Sequence, residues 1–333
     1  MTRHVKLFLI RHGETVDNVA QVYAGSRDSV LTNHGFQQAT RLGLHFSSLG
    51  LCFTQIYSSH LQRASKTAGL IREAQVRTQI SSSSACGVPT VVQLPILMEK
   101  DFGSNEGKKW YEKPSESIEP RQGEKNLLRF VDVESKDSMA QRADAFLDDH
   151  LLRLFDDTSE SAKRIVAVVS HGMMLSMLWK RLLLRLPSKS VTFSPELAAN
   201  PRISLDHLGA WSNTGYMELD MEWAESSETN VAVSTSTSST WQNDTALEEV
   251  GDQSGIQPLT QSDTSIREQG HSIPLASKLV SPKLAQGWRT SIQTINGKSH
   301  LQGIKRTGGG VGSARHDASQ KKIDNFFKRR RTD

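Results

Sequence analysis

The apolar run Leu7-Phe8-Leu9-Ile10 breaks off at Arg11-His12-Gly13-Glu14-Thr15, with Asn18 just beyond. Four consecutive apolar residues fit a buried strand. Gly13 then lets the chain turn sharply at the strand's end. In open α/β sheets ligands bind at the carboxyl ends of the strands. Arg11 and His12 are therefore expected at the mouth of such a site, with a helix starting near Thr15. An imidazole beside a guanidinium suits attack on a phosphate that the guanidinium holds bidentately.

The same design recurs late in the chain. Ile165-Val166-Ala167-Val168-Val169 reads as a central strand buried on both faces, and it ends in Ser170-His171-Gly172 before a helix expected over Met173 to Leu186. Two strand-end histidines on one sheet edge can meet over a single phosphate. Between them, Tyr23 to Asp28 reads as a loop. Thr32 is an N-cap candidate for a helix from His34 to Leu49, in which Phe36, Ala39, Leu42 and Phe46 fall near helical spacing. Phe53 to Ser59 is a short strand, and Ser59 can cap a helix whose first turn presents Arg63, where a helix N-terminus already favours anions. Ser81 to Gly87 is a low-complexity surface insertion. Glu99-Lys100-Asp101-Phe102-Gly103-Ser104-Asn105-Glu106-Gly107 holds three carboxylates close together. The polar stretch 108–132 is a candidate lid or substrate-specificity insert. A helix is expected from Ser138 to Leu154.

Taken in order, these segments resemble the histidine phosphatase superfamily, the phosphoglycerate-mutase-like enzymes. Arg11-His12-Gly13-Glu14 resembles its signature. Asp28, Leu31, Thr32, Gly35, Gln38 and Ala39 match "D-x-x-L-T-x-x-G-x-x-Q-A", and the segment from Ser58 to Thr67 matches "S-S-x-L-x-R-A-x-x-T" nearly letter for letter. Glu99 to Gly107 resembles "E-x-x-x-G-x-x-E-G", His171-Gly172 the second histidine motif, and Asn213-Thr214 a late loop bordering the site before an edge strand. The resemblance covers about residues 5 to 222. It implies an α/β three-layer sandwich, a mostly parallel central sheet flanked by helices. It also implies a phosphomonoester hydrolase in which His12 attacks phosphorus, Arg11, Arg63 and His171 hold the phosphoryl oxygens, and Asn18 adds a neutral donor beside Gly172. Glu99 is the implied proton donor, with Asp101 or Glu106 as the acid if the loop is shifted. Guanidinium and imidazole groups supply the positive charge, so no metal and no cofactor are expected. Mutases of the family carry a loop close to "E-R-x-Y-G-x-L-Q-G". The departures at Lys100, Phe102, Asn105 and Glu106 favour a phosphatase over a phosphoglycerate-type mutase.

The composition places the rest of the chain. Of 333 residues, 36% are hydrophobic, thin for a chain that is globular throughout and consistent with a disordered portion. The two cysteines, Cys52 and Cys86, suggest neither a metal site nor a disulfide framework, and a reduced intracellular compartment is the simplest reading. No apolar run approaches the length of a membrane span. Residues 1–222 are expected to form the catalytic domain and 223–333 a disordered, low-complexity tail, with Ser234 to Thr240 and Gly308-Gly309-Gly310 as its markers. Acidic residues prevail from Ala224 to Glu268. Basic ones prevail after Gln269, ending in Lys328-Arg329-Arg330-Arg331.

The residues 320–331 have a reading of their own. Gln320, Ile323, Phe326 and Phe327 fit "Q-x-x-I-x-x-F-F", which resembles the PIP-box that docks on the replication sliding clamp, proliferating cell nuclear antigen. Spacing of three puts Ile323 and Phe326 on one face of a helical turn, and paired Phe in a charged terminus should dock somewhere. Lys328 to Arg331 reads equally as a signal for a nuclear import receptor. The expected location is the nucleus, the cytoplasm or both. A second class of function follows from this end of the chain, a nuclear, DNA-associated scaffold that uses the phosphatase fold as a module.

Overall fold

Alternate residues of the first strand, β1 (Arg3–Arg11), belong to two different cores. Val5, Leu7 and Leu9 join one, and Phe8 and Ile10 the other, as the two-residue repeat of a strand requires. Such a strand has to lie inside a sheet that is covered on both faces. The computed structural model describes residues 3–82, 87–111, 132–156, 163–200, 203–206, 208–223, 284, 287–308 and 310–319, and it has that sheet at its centre.

After β1 come α1 (Val16–Ala20), α2 (Asn33–Ser48), β2 (Gln55–Ser59), α3 (Gln62–Ser82) and β3 (Val91–Leu94). Then follow α4 (Lys136–Phe146), α5 (Arg153–Asp156), β4 (Arg164–Ser170), α6 (Gly172–Leu183), β5 (Val191–Phe193), α7 (Pro195–Ala198), β6 (Tyr216–Trp223) and β7 (Trp288–Gly297). The seven strands form one sheet in the order β3-β2-β4-β1-β6-β7-β5. Only β6 runs against its neighbours. Leu42 and Phe46 of α2 and Ala64, Ala68 and Ile71 of α3 pack on Phe8, Ile10, Ala167 and Val169. On the opposite face, Met139, Ala143 and Phe146 of α4 and Met174, Leu175 and Leu178 of α6 cover Leu7, Leu9, Val166 and Val168. The result is the three-layer α/β sandwich expected from the sequence. The helix expected from Ser138 to Leu154 is broken: α4 ends at Phe146 and passes into one wider, π-helical turn, Leu147–Leu151, before α5.

Three expectations are corrected. Strand β6 is not an edge, because β7 pairs along it from Tyr216↔Gly297 to Trp223↔Trp288. Residues 288–308 and 310–319 are accordingly not a disordered tail. Trp288, Thr290 and Ile292 are buried at alternate positions, and beyond β7 a bridge joins Thr32 to Arg315 while His316 stacks on Phe36. The period of two is present in the sequence, but it is written largely in Thr, Ser and Gln, where composition alone hides it. Third, Cys52 is disulfide-bonded. The stretch 224–283, most of the candidate lid (112–131) and the 320–331 motif lie outside the described residues. Among the described residues, no helix is long and apolar enough to cross a membrane.

Candidate active site

Strands β1 and β4 are parallel neighbours in a register that sets Arg11 opposite Ser170. The next residue of each chain segment is a histidine, so His12 and His171 leave the sheet side by side. Their rings lie 5.0 Å apart, centre to centre, and both are buried. Gly13 adopts no left-handed conformation. It is required instead for close approach, since a Cβ there would stand 2.6 Å from the carbonyl oxygen of Gly35. Its N–H donates to Thr67 Oγ1 at 3.1 Å, one turn beyond Arg63 on α3.

Hydrogen bonds fix the tautomer of each ring. His12 Nδ1 lies 2.7 Å from the Gly13 carbonyl oxygen. A carbonyl only accepts, so Nδ1 carries the proton and Nε2 the lone pair. His171 Nδ1 lies 3.1 Å from Arg63 Nε. A guanidinium only donates, so here the proton sits on Nε2. Burial, and then the cations Arg63 and Arg11, hold His12 well below the usual imidazole range. Burial, Arg63, His12 and Arg11 do the same to His171. Both rings are therefore neutral at pH 7.

Two buried donors at this edge have no partner among the described residues, His171 Nε2 and Arg11 Nε. A Cβ on Gly172, the first residue of α6, would lie 3.8 Å from that Arg11 nitrogen. Unpaired buried donors are costly, and an anion between them is the natural partner. Arg63 is differently placed. It donates to the carbonyls of Ala24, Gly25 and Arg27 as well as to His171, which leaves one of its five N–H groups for a ligand. Its first duty is to hold the 24–27 loop. Asn18 forms a capping box with Thr15 at the start of α1, and its Oδ1 accepts from Asn213 Nδ2 at 3.1 Å. Asn213 also reaches the His12 carbonyl, so the late loop does border the site.

The three candidate acids separate cleanly. The Glu106 carboxylate accepts from the backbone N–H groups of Gly25, Ser26 and Phe102, a structural use. Asp101 Oδ1 accepts from Gly103 N. Glu99 accepts from Lys100, Met173 and Met174 N, which fixes it at the N-terminus of α6, and among the described residues it is the one carboxylate lining a cleft of about 520 Å³ that also includes Arg11, Gly172 and Trp211. Two further residues escaped the sequence reading. Arg306 pairs with Glu14, whose other oxygen accepts from Thr32 Oγ1. Trp211 offers its carbonyl to Arg11. Nothing local in the sequence links residue 306 to residue 14. Among the described residues, no group of three or more His, Cys, Asp or Glu is placed to hold a metal ion.

The model of the histidine phosphatase superfamily (branch 1) matches residues 7–212. The chain belongs to this superfamily. It is 35% identical over 178 residues to "Probable phosphatase C1620.13" of Schizosaccharomyces pombe, a match covering 53% of this chain and 56% of that protein. It thus spans little more than half the length of that relative. Against "Broad-specificity phosphatase YOR283W" of Saccharomyces cerevisiae it is 28% identical, covering 52% of this chain and 68% of the other. Against "Probable phosphoglycerate mutase GpmB" of Erwinia tasmaniensis it is 33% identical, with 52% and 73% covered. In this histidine phosphatase chain, β7 and the Arg306 contact lie beyond the matched residues.

Proposed function

We propose that this histidine phosphatase chain is a metal-independent phosphomonoester hydrolase working through a phosphohistidine on His12. The observation that carries the reading is the pair of neutral histidines with opposite tautomers. His12 offers an Nε2 lone pair without first losing a proton, and His171 offers an Nε2–H. In this scheme His12 Nε2 attacks phosphorus in line while Arg11 Nε, His171 Nε2–H and the remaining Arg63 N–H bind the phosphoryl oxygens. Asn18 adds a neutral donor. Glu99 shares a proton with the bound ester and delivers it to the leaving oxygen, then takes one from the water that cleaves the phosphohistidine. The guanidinium and imidazole groups neutralise the charge that a metal would otherwise carry. The departures of the Glu99–Gly107 loop from the mutase pattern, with Glu106 committed to the 24–27 loop, favour water over a second hydroxyl as the acceptor.

The test is hydrolysis of an aryl phosphate in excess chelator by wild type and His12→Ala. Turnover that survives the chelator, disappears in the variant and releases inorganic phosphate supports the proposal. Equal turnover in the variant would exclude His12 as nucleophile.

A second reading concerns recruitment. We propose that Gln320, Ile323, Phe326 and Phe327 dock on the sliding clamp, proliferating cell nuclear antigen, and that Lys328 to Arg331 engage a nuclear import receptor. The favouring observation is that the chain is anchored to the domain up to His316, so the motif follows a fixed point. A clamp pull-down that is undiminished when Phe326 and Phe327 become Ala would sink this reading, and with it the scaffold alternative.

A further inference from the structure

The cleft beside the two histidines carries more positive charge than one phosphoryl group needs. Besides Arg11 it is lined by Lys100, Lys136 and Lys180, which come from three separate places: the Glu99 loop, the first turn of α4 and the last turn of α6. None of the three lysines pairs with a carboxylate among the described residues. Their neighbours on the same helices do. Arg142 of α4 pairs with Glu134, and Arg181 of α6 with Asp144. Glu134 and Asp144 are thus engaged by arginines that do not line the cleft, and the one carboxylate lining it among the described residues, Glu99, is held by backbone N–H groups. The remaining wall is apolar, formed by Met139, Met173, Met177 and the Trp211 ring, whose Nε1 is satisfied by Ser176. The volume, about 520 Å³, suits a small organic molecule.

We infer that the alcohol part of the substrate has a compact apolar or aromatic body and bears a second anionic group, received by Lys100, Lys136 and Lys180 while Met139, Met177 and Trp211 cover the body. The inference rests on the hydrolase reading for the position of the phosphoryl group, but not for its test. Cations left unpaired around an apolar cleft raise the local concentration of anions and select among them. Neutral-tailed phosphomonoesters forfeit these contacts.

Two esters of nearly equal size decide it, 4-isobutylphenyl phosphate and 4-(carboxymethyl)phenyl phosphate. The full chain is expected to favour the carboxylate-bearing ester in kcat/KM by about tenfold, since three partly exposed pairs contribute modestly each. In the double variant Lys136→Met, Lys180→Met that ratio should fall toward one. Calorimetric binding of the same two esters to His12→Ala reads the same preference without turnover, so failure of hydrolysis and failure of the anion site give different results. A ratio near one in the wild-type chain, or a preference that persists in the double variant, overturns the proposal.

Discussion

Arg63 Nε donates to His171 Nδ1 at 3.1 Å, and that bond decides which nitrogen of His171 carries its proton. The same guanidinium holds three carbonyls of the 24–27 loop. Lysine has neither the planar fork nor the donors to do both. Arg63→Lys is therefore expected to lower kcat by about a hundredfold or more and to reduce the melting temperature as well. Retention of most activity in this variant would mean that the tautomer of His171 is set by something else.

Glu99 accepts three backbone N–H bonds, two at Oε1 and one at Oε2, and Gln at this position keeps an oxygen for the first two while losing the transferable proton. Hydrolysis of an alkyl phosphate, whose leaving oxygen needs protonation, should fall by about 10²-fold or more in Glu99→Gln. An aryl phosphate with an acidic leaving phenol should lose much less. Equal losses on both esters would assign Glu99 a purely structural part at the start of α6.

His300 sits behind the catalytic loop, its Nε2 2.9 Å from Thr214 Oγ1. That hydroxyl already donates to the Asn213 carbonyl, so the imidazole donates from Nε2 and its buried Nδ1 is left without a partner. Burial, with His45 nearby, pulls its pKa down from 6.5 to about 4. Below pH 6.5 the unfolded chain takes up a proton that the folded one refuses until about pH 4. Stability is therefore complete above pH 6.5 and falls as pH drops through that window, by about 2 kcal/mol at pH 5 from this residue alone. His300→Gln, which still donates to Thr214 but does not titrate, should flatten the decline in a denaturant series at pH 7 and pH 5. His12 and His171 shift in the same direction, so a residual slope should remain.

Strand β7 lies between β6 and β5 in the sheet and buries Trp288 and Ile292. A chain ending at Ser319 should unfold cooperatively on heating. One ending at Gly287 should not, because it leaves β5 without its neighbour, leaves β6 paired to β1 alone and opens the core under Trp288. Cooperative melting of the shorter chain by circular dichroism would show the strand to be dispensable.

The two strand–histidine junctions were legible because the chemistry and the element coincide in a few consecutive residues. Leu7 to His12 and Ile165 to His171 each state a buried strand and its terminal group together. Thr32 as a cap was legible for the same local reason, whereas the cap Ser135 was not read and α4 begins two residues before the expected Ser138. What the sequence concealed is non-local. Gly13 looks like a turn residue and is in fact a contact with Gly35. Glu106 looks like a candidate acid until its three backbone donors are seen. Arg306 acts on Glu14 from 292 positions away and strand β7 on β6 across the whole stretch between Trp223 and Trp288, and no spacing rule reaches that far. The cleft lysine on α6 was within reach: Gly172, Ser176 and Lys180 follow one another at intervals of four, so one face of that helix was readable.

The position of β7 also sets an order of events during synthesis. β1, β2, β4 and their helices leave the ribosome early and can pair among themselves, yet β6 waits for a neighbour encoded more than sixty residues later. Until that stretch emerges, the flank of β6 that should meet β7 is an open edge, able to pair with another nascent chain. Holding such chains apart until residue 297 has been made becomes a task for the cell, and the long excursion between β6 and β7 sets how long that task lasts.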